Sequence, residues 1–170
     1  MIKVYQRINH PRRGDCFKCV ICSLLELDYD SVPNFIELEG ESTWWTAAQA
    51  VFAEHGYSLG DKYLYNPRVV FLENPTVNLY ENVWPVESET LGSLTDEDGI
   101  DGLFMASVYS PKYTKPDEHP ASHLHCVICD KNFNIVFDPQ KEYENVVNYP
   151  YSRLIEYNGI RGIDTIRKIK

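Results

Sequence analysis

The spacing of apolar positions changes along the chain and marks out two helices and several strands. Phe17, Val20, Ile21, Leu24 and Leu25 recur at helical spacing and predict a helix from about Cys16 to Leu27. Gly14 and Asp15 stand directly before it, so Asp15 reads as the N-cap and Cys16 as the first helical residue. A second helix is predicted from Thr43 to about His55, with Ser42 as N-cap and Gly56 at the C′ position. Its buried face is Trp45, Ala48 and Phe52, flanked by Trp44 and Val51. Residues 2–6 alternate apolar and polar and predict a short edge strand ending at Gln6; Leu103–Tyr109 resembles a buried strand. Shorter β-rich pieces lie at Tyr63–Tyr65, Val69–Leu72 and Val77–Leu79. Arg7 to Gly14, Asp28 to Phe35, Glu87 to Asp101 and the proline-bearing Ser110 to Ala121 read as loops and turns. Tyr157 to Lys170 fits a last strand or a short helix equally. This is an α+β pattern in a chain of 170 residues, the size of one domain with a substantial core, here taken as residues 1–170.

Two β-rich runs, Leu124 to Cys129 and Asn134 to Phe137, flank a polar turn and predict a hairpin. A four-residue loop from Asp130 to Phe133 pairs Cys129 with Asn134, Val127 with Val136 and His125 with Asp138. The opposite face then collects Leu124, Cys126, Ile128, Ile135 and Phe137, all apolar, as a core-facing side requires. In this register the Cβ atoms of His125 and Asp138 are roughly 5 Å apart, whereas His123 opposes Gln140. A carboxylate on one ring nitrogen orients an imidazole and leaves the other nitrogen for proton transfer. The plainer alternative is a surface His–Asp pair of no consequence.

Composition narrows the functions available. The formal charge of −9 argues against a surface built to contact nucleic-acid phosphates. No stretch has the apolar length of a signal peptide or a membrane span, which predicts a protein of the reducing cytoplasm without membrane partners. Five cysteines form an odd count in two tight clusters, a pattern unlike a disulfide framework, leaving catalysis or metal binding.

The head of a helix is where backbone N–H groups stabilise a thiolate, so Cys16 is a candidate nucleophile, set against the reading of a small buried cysteine in a core helix. With His125 as base and Asp138 as its orienter, Cys16 completes a nucleophilic triad. Gln6, a short loop upstream, supplies a side-chain amide that joins the Cys16 backbone N–H as an oxyanion hole. The competing constellation is a metal site drawn from Cys16, Cys19, Cys22, His123, His125, Cys126 and Cys129. Helical placement of Cys19 and Cys22 and the opposite faces expected for Cys126 and Cys129 scatter those ligands. The triad is the preferred reading, with no metal and no cofactor.

Gln6, Gly14-Asp15-Cys16-Phe17, Ser23-Leu24-Leu25-Glu26-Leu27, Val32-Pro33-Asn34-Phe35, His125-Cys126-Val127-Ile128 and Asp138-Pro139 resemble small papain-like cysteine proteases found in bacteriophage and bacterial genomes. The resemblance covers the first 35 residues and residues 122–139, and elsewhere rests on order and spacing. It implies a papain-like fold, with a nucleophile helix packed on an antiparallel sheet that carries His and Asp. Its implied roles are oxyanion stabilisation for Gln6, nucleophile for Cys16, base for His125 and orienter for Asp138. Two features depart from the pattern: Cys19, Cys22 and Cys126 stand where small residues are usual, and no glycine-rich stretch precedes His125.

The expected function is therefore a hydrolase or acyltransferase that acts on an amide or isopeptide bond of a protein, peptide or amide substrate through Cys16. Hydrolysis and transfer to an amine are equally open to these residues. A phage–host interaction protein that keeps the fold without chemistry is the alternative from another class, and a zinc-binding module is a third. A phage-encoded chain would work in the host cytoplasm.

Overall fold

A computed structural model describes residues 1–10, 14–41, 43–64, 95–109, 124–131, 134–140 and 160–170. The expected pieces at Val69–Leu72 and Val77–Leu79, the Ser110–Ala121 loop, Ser42 and His123 lie outside these residues. The described chain is α+β. Helix α1 (Cys16–Leu25) and helix α2 (Trp44–Glu54) accompany a five-stranded sheet of β1 (Tyr57–Leu64), β2 (Leu103–Tyr109), β3 (Leu124–Asp130), β4 (Ile135–Phe137) and β5 (Ile160–Lys168). Strand order is β1-β5-β2-β3-β4, and every neighbouring pair is antiparallel. The C-terminal segment is thus a strand, and it lies inside the sheet between β1 and β2.

Helix α1 packs on β3 and α2 on β1. Val20, Ile21 and Leu24 of α1 and Ala48 and Phe52 of α2 share one core with Leu59, Met105, Ile128, Phe137 and Ile166. Helix α1 is buried nearly all round: Val20, Ile21 and Leu24 of the predicting stripe are buried together with Lys18, Cys19, Cys22 and Ser23 off it, while Phe17 and Leu25 are half-buried. Helix α2 starts one residue after Thr43, and His55 closes it before Gly56 (φ +82°), where an L-residue would be strained. Trp44 and Trp45 are half-buried at its start, while Ala48, Val51 and Phe52 form its buried face.

Residues 2–6 form no strand. The segment is tied down by single contacts: Val4 N–H donates to Ser23 Oγ (3.0 Å), the Tyr5 ring packs edge-on to Phe137 (5.5 Å between centroids), and Gln6 N–H donates to the Pro139 carbonyl (2.9 Å). A two-residue period does not distinguish a laddered strand from an extended strap held by a few anchors.

The hairpin is present with a different register. Cys129 faces Ile135 and Ile128 faces Phe137, with an irregularity between them, in place of Cys129 with Asn134 and Val127 with Val136. His125, Cys126, Val127, Ile128 and Cys129 are all buried, so β3 is covered on both faces. Alternation carries little register information in such a strand. A bulge then shifts the pairing again.

Candidate active site

Cys16 is the first residue of α1 and is 9% exposed. Its predecessor Asp15 is 2% exposed and makes no side-chain cap to the helix, contrary to its expected role. The carboxylate turns back instead and accepts the N–H groups of Arg7 (3.0 Å) and Ile8 (3.2 Å) and the Tyr29 hydroxyl (2.7 Å). The Asp15 backbone carbonyl still accepts the Cys19 N–H (3.0 Å), the first bond of the helix.

His125 and Asp138 meet despite the altered register. Continuing the Ile128–Phe137 pairing places Asp138 opposite Val127, so His125 reaches it diagonally, a separation a long side chain spans. His125 Nε2 lies 2.7 Å from Asp138 Oδ1, with the two side chains 5% and 7% exposed. A carboxylate only accepts, so Nε2 carries the proton. The Asp138-Pro139-Gln140 sequence fixes that carboxylate, because Gln140 N–H donates to the same Oδ1 (2.8 Å) in an Asx-type turn.

The Cys16 side chain also lies within interaction range of His125, where its hydrogen bonding and charge favour the imidazolium. With Nε2 engaged by Asp138, Nδ1 is the ring nitrogen left for the thiol. The structure therefore brings Cys16, His125 and Asp138 into one chain of contacts. Burial is the largest influence on His125 and disfavours the imidazolium. The charge and hydrogen bond of Asp138, with smaller contributions from the hydrogen bond and charge of Cys16, together outweigh it, and the His125 pKa is pushed up to about 10.

Gln6 sits at the head of the same helix. Its Nε2 lies 3.1 Å from the point a Cβ on residue 14 would occupy, so a glycine there makes room for the amide. The Nε2 group donates to the Ile8 carbonyl at 3.4 Å, a long bond, and Oε1 is buried without a hydrogen-bond partner. The Gln6 backbone is joined to Pro139, next to Asp138.

The remaining thiols belong to the interior. None of the five cysteines is in a disulfide, and all five are buried. Burial pushes the thiols of Cys19 and Cys129 well above their ordinary range and that of Cys22 up to about 11. Among the described residues, no three His, Cys, Asp or Glu side chains form a group suited to holding a metal ion. No described helix is long and apolar enough to cross a membrane.

Beside Cys16, Phe17 meets Phe35 and Trp44 edge-on, each at 5.3 Å between centroids, and Trp44 meets Trp45 at 5.5 Å. Sequence reasoning missed the turned-back Asp15 carboxylate and its partner Tyr29. Asp before a helix signals a cap, and nothing in Asp28 to Phe35 marks Tyr29 as a partner. A comparison with protein-family models, curated proteins and solved structures finds no match.

Proposed function

We propose that the protein is a papain-like cysteine hydrolase or acyltransferase that acts on an amide or isopeptide bond of a protein, peptide or small amide. The observation that carries this reading is His125 held between the Asp138 carboxylate and the Cys16 side chain at a helix N-terminus. A raised His125 pKa supports a resting imidazolium beside Cys16 near neutrality.

In the first step the Cys16 thiolate attacks the carbonyl carbon, an S–C bond forms, and the carbonyl electrons move onto oxygen. The Gln6 amide and the Cys16 N–H are the proposed donors to that oxyanion. As the tetrahedral species collapses, the C–N bond breaks and the amine leaves with the His125 Nδ1 proton. Water, or an acceptor amine, then gives a proton to neutral His125 and attacks the thioester. Cys16 departs as thiolate, and Asp138 keeps the ring oriented throughout. Every step uses groups of this chain, substrate and water.

p-Nitrophenyl acetate tests the reading without knowledge of the natural substrate. The expected result is a burst of about one nitrophenolate per chain, with the acetyl group on Cys16. Cys16→Ala abolishes the burst, and His125→Ala slows it by an order of magnitude or more. Acetylation spread over several thiols and lysines would contradict the proposal.

The half-buried Phe17, Trp44 and Trp45 rings favour a second reading, contact with a phage or host partner without chemistry. In that case Cys16→Ala leaves both biological activity and partner binding unchanged.

A further inference from the structure

Asp15 is a buried carboxylate one residue from the candidate nucleophile, and the proposed reaction gives it no part. Its charge cannot be there to favour a thiolate, because a neighbouring anion works against one. Its position at a helix start is also not used for capping. What the carboxylate does is hold backbone: Oδ2 accepts Arg7 N–H (3.0 Å) and Oδ1 accepts Ile8 N–H (3.2 Å), while Asp15 N–H reaches the Ile8 carbonyl (3.4 Å). These contacts fasten residues 7 and 8 to the residue before Cys16, and Gln6 is the next residue back along the strap.

Tyr29 fixes the carboxylate in turn. Its hydroxyl donates to Oδ2 at 2.7 Å. The Tyr29 ring is held by the Arg7 guanidinium carbon and the Lys18 ammonium, each 3.9 Å from its centroid. Arg7 and Lys18 belong to the strap and to α1, so the ring bridges the two pieces whose relative position matters. At the other end, Gln6 N–H is anchored to the Pro139 carbonyl, and the Gln6 amide lies against Gly14.

We propose that Asp15 is a positioning residue: held by Tyr29, its carboxylate clamps the Arg7 and Ile8 amides and so fixes the Gln6 side chain over Gly14, at the head of the nucleophile helix. This rests on the acyl-transfer reading and deepens it. The clamp acts on the oxyanion donor and leaves the attacking thiol alone.

Two reagents separate those roles. Acetylation of Cys16 by p-nitrophenyl acetate forms an S–C bond at a carbonyl carbon and expels nitrophenolate through a tetrahedral oxyanion, so it needs Gln6. Alkylation by iodoacetamide forms an S–C bond at a saturated carbon and expels iodide with no oxyanion, so it does not. Asp15→Ala and Asp15→Asn should slow acetylation at least about tenfold while alkylation of Cys16 stays within about threefold of wild type. Gln6→Ala should show the same selectivity. Asp15→Ala in the Gln6→Ala background should add little, since both act through one donor. Tyr29→Phe, which removes only the outer hydrogen bond, provides a milder version should Asp15→Ala not fold, and should show a smaller loss with the same selectivity. Equal loss of both reactions, full additivity of Asp15 and Gln6 variants, or no loss would overturn the clamp while leaving Cys16 a nucleophile. A wild-type protein that neither reagent modifies at Cys16 would instead overturn the acyl-transfer reading itself.

Discussion

His125 carries opposing demands within a few ångströms. Its ring is 5% exposed, which disfavours the charged form, and it touches a carboxylate that requires it. Its pKa is raised from an ordinary 6.5 to about 10, so the imidazolium's contribution to stability is complete below about pH 6.5 and is lost as pH rises through 10. Unfolding free energy measured between pH 6.5 and 10 should therefore fall with pH. Asp138→Asn removes the charge that offsets burial, so this slope should weaken. Cys16 alkylation near neutrality should drop by an order of magnitude or more while the fold persists. A variant that alkylates as fast as wild type would show that Asp138 does not support the imidazole. His125 and Asp138 were legible in the sequence because each sits in a distinctive local setting, a β-rich run and an Asp-Pro turn. Their route to each other was not, since a strand buried on both faces lacks the polar side by which register is read.

The N-terminal strap depends on a few anchors, and the most buried of them is Ser23. Its hydroxyl, fully inaccessible on α1, donates to the Cys19 carbonyl (2.8 Å) and accepts the Val4 N–H (3.0 Å). Ser23→Ala leaves that N–H without a partner, at a cost of about 1–3 kcal/mol. Thermal melts should register the loss, and protease cleavage near residues 1–5 should accelerate; an unchanged cleavage rate would mean that the strap is held elsewhere. Helices α1 and α2 were predictable because their large apolar residues recur at helical spacing, and a turn glycine such as Gly56 marks the end of α2. The strap carries a strand's pattern because an extended segment without a ladder has the same period. Asp15 has the sequence setting of a cap, because its partners Arg7, Ile8 and Tyr29 are joined to it only by the fold.

Across the whole molecule, the C-terminal strand is an interior element. Ile163 and Ile166 of β5 are fully buried, and β5 pairs with β1 on one side and β2 on the other. Ile166→Ala should cost about 2–5 kcal/mol by equilibrium unfolding. A loss below ~1 kcal/mol would place this strand outside the cooperative core. Distant parts of the chain also converge at the site: the strap brings Gln6, α1 brings Cys16, β3 brings His125 and the end of β4 brings Asp138. The sheet is what joins them, since α1 packs on β3 and β3 pairs with β4. The strand inserted between β1 and β2 was not legible, because Tyr157 to Lys170 has no period that separates strand from helix.

The most direct test is competitive labelling of the native protein with iodoacetamide near neutral pH, followed by peptide mapping of all five cysteines. Cys16 should be modified first and nearly alone, and Cys19, Cys22 and Cys129, whose thiols burial holds in the protonated form, should react only on unfolding. Labelling at Cys16 should collapse in His125→Ala. Modification of Cys16 no faster than the interior cysteines, or at a rate indifferent to His125, would contradict the assignment of Cys16 as the nucleophile.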